Sequence, residues 1–288
     1  MNQYLVPKKR TGRPTKSNLI NYQQLKRDLL KSATNFGFET SFWNSTRIRQ
    51  HLKKSYKIFI SKATMCRNLR LAKITYKKPE RRYYETDEKA QHYWLKNDLP
   101  EIIKFAKKQN AIIYFEDESC IRLTPIIGKT WIPKNKKVKH KVTGNRGSIA
   151  AMSAISSTGR LIFNLHKKTI TATEVILFLK QMLDHHPRRH LVVVMDQAKP
   201  HTANDVKTFI EAQKRLHVFY LPSRSPNLNP DEKVWRHLKH EELKSHGALT
   251  VKALQTLTKK KLKKMARNPG LIRGIFHQCE EASRFISK

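Results

Sequence analysis

The sequence is poor in acidic residues, since 22 Asp and Glu stand against 59 Lys and Arg among 288 residues. Its three cysteines, Cys66, Cys120 and Cys279, form neither a metal-spaced pair nor a disulfide framework. No apolar run reaches the roughly 18–20 residues that span a bilayer; Leu191–Met195, among the longest, has the length of a strand. The N-terminus has no apolar stretch of signal-peptide length. We therefore expect a cytoplasmic protein with reduced thiols and no membrane partner.

The formal net charge of +37 indicates a polyanionic partner. A hydrophobic content of 39% argues against a disordered polycation, because such chains lack apolar surface to bury. The positive charge is spread along the whole chain, which favours a long contact with nucleic acid over a single basic tether. The alternative is a lysine-rich surface without a partner, which would leave considerable self-repulsion uncompensated.

The first hundred residues are typical of a DNA-binding domain. Gly12-Arg13-Pro14 lies in a basic arm and stays extended because of its proline, as a minor-groove contact requires. Three predicted helices follow, at Leu19–Ser32, Thr46–Lys54 with Ser45 as its cap, and Lys62–Ala72 with Ser61 as its cap. They suit a helix-turn-helix, although a three-helix bundle with solvated charges and a disordered arm remain alternatives. The predicted DNA contacts are Arg10, Arg13, Lys16, Lys62, Arg67, Arg70 and Lys73.

From Asn110 onward, strand-like and helix-like segments alternate. The predicted strands are Ala111–Phe115, the hairpin pair Ser148–Ser156 and Arg160–His166, the apolar Leu191–Met195, and Val218–Leu221; helices are predicted over Thr171–Leu183 and Ala203–Lys214. This order predicts a mixed α/β sheet covered by helices.

Three acids follow predicted elements of this sheet. Asp117 and Asp196 stand at the ends of strands, and Glu232 falls in the first turn of a helix after a proline-rich loop. Each has a structural alternative; for Glu232 it is a capping box with Asn229 as N-cap and Pro230 at the first helical position. Phosphodiester cleavage by two Mg²⁺ or Mn²⁺ ions needs carboxylates that converge from separate elements, as these three would.

Three sequence blocks resemble DDE transposases of the insertion sequence 630 family, in the mariner superfamily. They are Phe115-Glu116-Asp117-Glu118-Ser119 with Trp131-Ile132-Pro133, Val194-Met195-Asp196 with His201, and a third block that fills the family pattern LP..SP.LNP.E..W from Leu221 to Trp235. Departures are Gln197 where Asn is frequent, and a Gly-Arg-Pro linker at residue 12, where many members have another helix-turn-helix upstream.

The resemblance implies a ribonuclease-H-like mixed sheet flanked by helices, preceded by an all-α, winged-helix-like helix-turn-helix domain. It assigns Asp117, Asp196 and Glu232 as the metal-binding catalytic triad, choosing Asp117 over its neighbour Glu118. It further implies a bacterial, nucleoid-associated homodimer that cleaves element ends in double-stranded DNA and joins them to target DNA at TA sites. Alternatives are a catalytically silent DNA-binding repressor and a plain ribonuclease-H-like nuclease.

The expected organisation has five parts: a basic arm at 1–17, the helix-turn-helix domain at 18–80, linker helices at 81–108, the catalytic domain at 109–248 and basic C-terminal helices at 249–288. Accessory candidates are Glu118, His201 and Arg236; His201 either orients a ligand or makes a structural hydrogen bond, and Arg236 either pairs with Glu232 or contacts phosphate. Thr250–Arg267 is predicted as a basic amphipathic helix, with a solvated face and a DNA-backbone contact both open.

Overall fold

The structure is a computed structural model that describes residues 19–78, 86–167, 169–281 and 283. The predicted DNA contacts Arg10, Arg13 and Lys16 lie outside the described residues. The chain divides into two compact units, Met1–Arg81 and Arg82–Lys288. Within the described ranges, no helix is long and apolar enough to cross a membrane.

The first unit contains the three predicted helices, α1 (Tyr22–Leu30), α2 (Ser45–Tyr56) and α3 (Lys62–Leu71). Ser61 caps α3 as predicted, because its hydroxyl accepts a hydrogen bond from the Thr64 amide. The predicted cap of α2 is wrong: Ser45 is already helical, and the side chain of Asn44 accepts from the Arg47 amide instead. Asparagine one residue earlier offers the same acceptor, so the helix begins earlier than the serine indicated.

A buried carboxylate ties α1 to α2 inside the small apolar core of this unit. Asp28 accepts hydrogen bonds from His51 Nε2 at 2.8 Å and from the Tyr56 hydroxyl. Burial would raise the pKa of Asp28, but the hydrogen bonds from Tyr56, His51 and Gln24 outweigh it and lower that pKa. The network therefore satisfies a charge that the interior would otherwise disfavour.

The second unit is a five-stranded sheet with helices on both faces. Its elements are α4 (Glu88–Tyr93), α5 (Leu99–Lys108), β1 (Ile112–Arg122), β2 (Ser148–Ile155), β3 (Leu161–His166), α6 (Ala172–Asp184), β4 (Leu191–Met195), α7 (Asn204–Glu211), β5 (Leu216–Tyr220), α8 (Glu232–His237), α9 (Val251–Ala266) and α10 (Pro269–His277). The strand order is β3-β2-β1-β4-β5; β1 to β3 are antiparallel neighbours, whereas β4 and β5 run parallel to β1. This confirms the predicted ribonuclease-H-like mixed sheet.

Two apolar layers enclose the sheet. Helices α6 and α7 pack on one face, around Phe178, Met182 and Val206. Helices α5, α8, α9 and α10 cover the other face. Every residue of β4 is buried, which explains why its sequence is continuously apolar rather than alternating.

Two predicted boundaries are wrong in ways that affect the site. The strand predicted at Ala111–Phe115 continues to Arg122, because β1 pairs with β2 from Phe115 to Arg122. Asp117 therefore lies within a strand and not at its end. Helix α8 begins at Glu232 itself, without a side-chain cap, so the capping box with Asn229 does not form. Instead the Asn229 amide donates to the Glu116 carbonyl at 2.7 Å.

Candidate active site

The register of the sheet brings Asp117 and Asp196 to the same side. Phe115 pairs with Val194, and both side chains belong to the core beneath α8. Side chains alternate along a strand, so Asp117, two residues after Phe115, points to that same side. Asp196 stands two residues after Val194, where β4 has just ended. The side chains of Asp117 and Asp196 therefore occupy matching positions along two adjacent parallel strands, on the same side of the sheet.

Glu232 joins these two acids from the first residue of α8. This helix is anchored by Trp235, which is buried in the same core. Burial raises the pKa of Asp117 well above its usual value, and the charges of Glu232, Asp231, Glu116 and Asp196 raise it further. Burial also raises the pKa of Glu232, against the opposing effect of Lys239 and Lys233. The structure therefore brings the three predicted carboxylates together in one electrostatic cluster.

The neighbouring acids of β1 point the other way, towards His201. This histidine is buried, with Nε2 at 3.2 Å from Glu118 Oε1 and 3.5 Å from Glu116 Oε2. Burial lowers the pKa of His201, but Glu116, Asp196 and Glu118 together raise it to about 11. A protonated imidazole has two donors and no free lone pair. Ligand atoms of Glu116, Glu118 and His201 lie within 4.8 Å of one another. A protonated His201 would pair with these acids, whereas a neutral imidazole would offer a lone pair to a metal ion.

His201 also holds Asp196. Its Nδ1 donates to Asp196 Oδ1 at 2.8 Å, and the Ala198 amide donates to the same oxygen at 2.9 Å. The hydrogen bond from His201 is the largest effect on the pKa of Asp196, which is lowered although burial opposes it. The Asp196 side chain keeps 55% exposure, so it is an ionised carboxylate that solvent or a ligand can reach.

Two polar contacts around the cluster were not predicted. Asp231 is fully buried and accepts a hydrogen bond from Ser153 Oγ at 2.6 Å. Lys239 Nζ donates to Ser119 Oγ at 2.6 Å, beside Asp117 on β1. The spacing of seven residues from Glu232 to Lys239, two helical turns, places both on one face and was readable in the sequence. Nothing in the loop sequence distinguished Asp231, because its partner comes from β2.

The other predicted contact residues occupy the surface. Lys62, Arg67, Arg70 and Lys73 are all exposed, on α3 or just after it. Arg236 is also exposed, and it forms no ion pair with Glu232 in the part of the chain that the structure describes. Of the two alternatives for Arg236, the pair with Glu232 is thus not formed, and the phosphate contact stays a prediction.

A family model described as DDE superfamily endonuclease matches residues 112–255, half of the chain. The chain belongs to this family. The match confirms the prediction of an enzyme, and it spans all three acids that the motifs singled out. A second model, winged helix-turn-helix, matches residues 39–98 and confirms the predicted DNA-binding fold.

Individual relatives agree with the family resemblance. The insertion element IS630 uncharacterized 39 kDa protein of Shigella sonnei is 21% identical over 135 residues, which are 46% of this chain and 39% of that protein. The aligned part thus spans about two fifths of the relative's length. The Mos1 mariner paired-end complex with Mn matches 99% of this chain and 82% of its own, with a TM-score of 0.67 at 16% identity. The Mos1 strand transfer complex gives a TM-score of 0.63 at 17% identity, over 98% of this chain and 81% of its own. At these identities the solved structures support the fold.

Proposed function

We propose that this DDE endonuclease is a DNA transposase that cleaves insertion-sequence ends and joins them to target DNA at TA sites. The convergence of Asp117, Asp196 and Glu232 from β1, the end of β4 and the start of α8 carries this proposal. The likeness to an insertion-element protein supports the same substrate class. Asp117, Asp196 and Glu232 are proposed as the catalytic residues.

The donor set fits divalent cations. Asp117 Oδ2 is buried without a hydrogen-bond partner, and its raised pKa shows a carboxylate that lacks a compensating positive charge. We propose that Asp117, Asp196 and Glu232 hold two Mg²⁺ or Mn²⁺ ions, because hard cations prefer carboxylate oxygens. Such ions would activate the attacking oxygen and stabilise the leaving one.

Other side chains of this chain would prepare the site. His201 keeps one oxygen of Asp196 in place and leaves the rest of the carboxylate free. Gln197 Nε2 donates to the Leu221 carbonyl at 2.8 Å, which ties the loop after β4 to the end of β5. Lys239, held by Ser119, carries a positive charge beside the cluster, where a DNA phosphate would be attracted.

The DNA partner is proposed to engage both units. The winged helix-turn-helix would recognise element ends through Lys62, Arg67, Arg70 and Lys73, with Arg10, Arg13 and Lys16 of the basic arm as further contacts. Two ends must be joined in transposition, so a homodimer is expected. These assignments follow from the family resemblance and from the exposure of the α3 residues.

The experiment is cleavage of a plasmid that carries the inverted repeats flanking the gene, with Mg²⁺ or Mn²⁺. Asp196→Asn is expected to lose cleavage while it keeps DNA binding, because the amide cannot replace an anionic ligand. Asp184→Asn, at the exposed end of α6, is the matched control and is expected to cut normally. Cleavage by Asp196→Asn at the parental rate would refute the triad. Binding by the parent protein without metal-dependent cleavage would indicate the repressor alternative.

A further inference from the structure

Helix α9 carries a line of basic side chains that faces away from the protein. Its buried face consists of Leu254, Thr258, Leu262 and Met265, which pack in the core beneath β2 and β3. On the opposite face, the exposed side chains recur at helical spacing: Lys252, Thr256, Lys259, Lys263 and, just after the helix, Arg267. At 1.5 Å per residue, this line extends for about 22 Å. We call these five residues the α9 stripe.

The charge of the α9 stripe is not neutralised by the protein. Val251–Ala266 contains no acidic residue. Glu242 binds two other lysines at the side of the helix, Lys261 at 2.8 Å and Lys264 at 3.1 Å. Within the described residues, no ion pair involves Lys252, Lys259 or Lys263. A solvated row of like charges stores repulsion that only an external anion relieves.

We propose that the α9 stripe binds the sugar-phosphate backbone of duplex DNA. Duplex DNA presents a regular line of phosphates, and a row of cations longer than one helical turn of protein matches a polymer better than a small anion. Glu242 also belongs to the segment Leu238–Glu242 that directly continues α8, so its ion pairs join α9 to the element that begins with Glu232. DNA that reaches the acidic cluster would therefore find the α9 stripe on the same side of the sheet.

The proposal rests on the proposed function only in taking DNA as the partner. The test uses the full chain, a random-sequence duplex of about 40 base pairs and a KCl series from about 50 to 200 mM. The triple variant K252Q/K259Q/K263Q is compared with K104Q/K107Q/K108Q, which removes three exposed charges from α5. K252R/K259R/K263R keeps the charges and is expected to bind like the parent protein.

We expect the α9 triple variant to bind at least about tenfold more weakly, with the slope of log affinity against log salt reduced by about 2.7, or 0.9 for each lost phosphate contact. The α5 variant is expected to change the slope by much less. An equal loss of affinity in both triple variants would show that only net charge matters. An unchanged salt slope in the α9 variant would show that the α9 stripe is a solvated face. Either result overturns the proposal. Unaltered circular dichroism and thermal unfolding exclude misfolding as the cause.

Cleavage separates this inference from the proposed function. If the α9 variant shows the reduced salt slope but neither the parent protein nor its variants cleave DNA, the proposal for the α9 stripe is supported and the transposase proposal fails. If the parent protein cleaves end-containing DNA and the α9 variant binds like the parent, the stripe proposal fails alone.

Discussion

Adjacent acids on β1 face two different environments because side chains alternate across a sheet. Asp117 points towards Glu232 and Asp231, whereas Glu116 and Glu118 point towards His201. From the residues alone, Asp117 and Glu118 were equal candidates, and only the family pattern chose between them. Glu118 points towards His201 and away from Glu232, which now supplies an independent physical reason for choosing Asp117 as the proposed ligand.

His201 is predicted to act through Asp196. His201→Gln removes the charge-assisted hydrogen bond to Asp196 Oδ1. Asp196, a proposed metal ligand, is then held less firmly in position. We expect the Mn²⁺ concentration for half-maximal cleavage to rise by about 10- to 100-fold, as outer-shell changes in metal sites do. The measurement is a metal titration of plasmid cleavage.

The control for this prediction is His185→Gln, an exposed histidine just after α6, which is expected to keep the parental metal requirement. An unchanged metal requirement in His201→Gln would show that Asp196 does not depend on the histidine. His201 had two interpretations in the sequence, a structural hydrogen bond and a ligand-orienting role. In the structure the hydrogen bond from His201 to Asp196 serves both roles, because its acceptor, Asp196, is a proposed metal ligand.

At the scale of elements, boundaries with a strong signal in the local sequence were predictable, whereas boundaries set by contacts with distant segments were not. Leu191–Met195 forms β4 with the predicted bounds, since five apolar β-forming residues need no partner to be recognised. The end of β1 was missed because Glu116-Asp117-Glu118 is unfavourable in isolated strands, yet pairing with β2 carries the strand through it. The start of α8 was missed because Asn229 binds the β1 backbone, a contact distant in sequence.

The hairpin between β2 and β3 depends on one glycine. Gly159 has φ +90°, and a Cβ built there would lie 2.5 Å from the Pro269 carbonyl oxygen at the start of α10. We expect Gly159→Ala to lower the free energy of unfolding by about 1–3 kcal/mol, through backbone strain and displacement of α10. Urea unfolding followed by circular dichroism measures the change.

Gly274 provides the matched comparison for that substitution. It lies inside α10 with nothing within 4 Å of a built Cβ, so alanine adds helix propensity without a clash. Gly274→Ala is expected to raise the free energy of unfolding by up to about 1 kcal/mol. Destabilisation by Gly274→Ala would contradict the open space around Gly274.

At the scale of the whole molecule, the many positive charges and the few acidic residues have different roles. Of the 22 acids, Glu116, Asp117, Glu118, Asp196, Asp231 and Glu232 gather around one end of the sheet. The net charge of +37 is distributed over both units. Such a surface attracts DNA at long range, while the acidic cluster repels phosphate unless cations intervene. Binding and cleavage should therefore respond differently to salts.

We predict that affinity for a random-sequence duplex falls about 10³-fold or more when KCl rises from about 50 to 200 mM, because several phosphate contacts release counterions. The measurement is fluorescence anisotropy of the labelled random-sequence duplex in EDTA, where binding should persist. Cleavage of the plasmid that carries the inverted repeats should stop in EDTA. Adding a low concentration of Mg²⁺ should restore cleavage without strengthening binding, since the proposed cations serve the acidic cluster and compete at the phosphates. A shallow salt dependence would contradict an electrostatic DNA surface, and cleavage in EDTA would contradict metal-dependent chemistry at Asp117, Asp196 and Glu232.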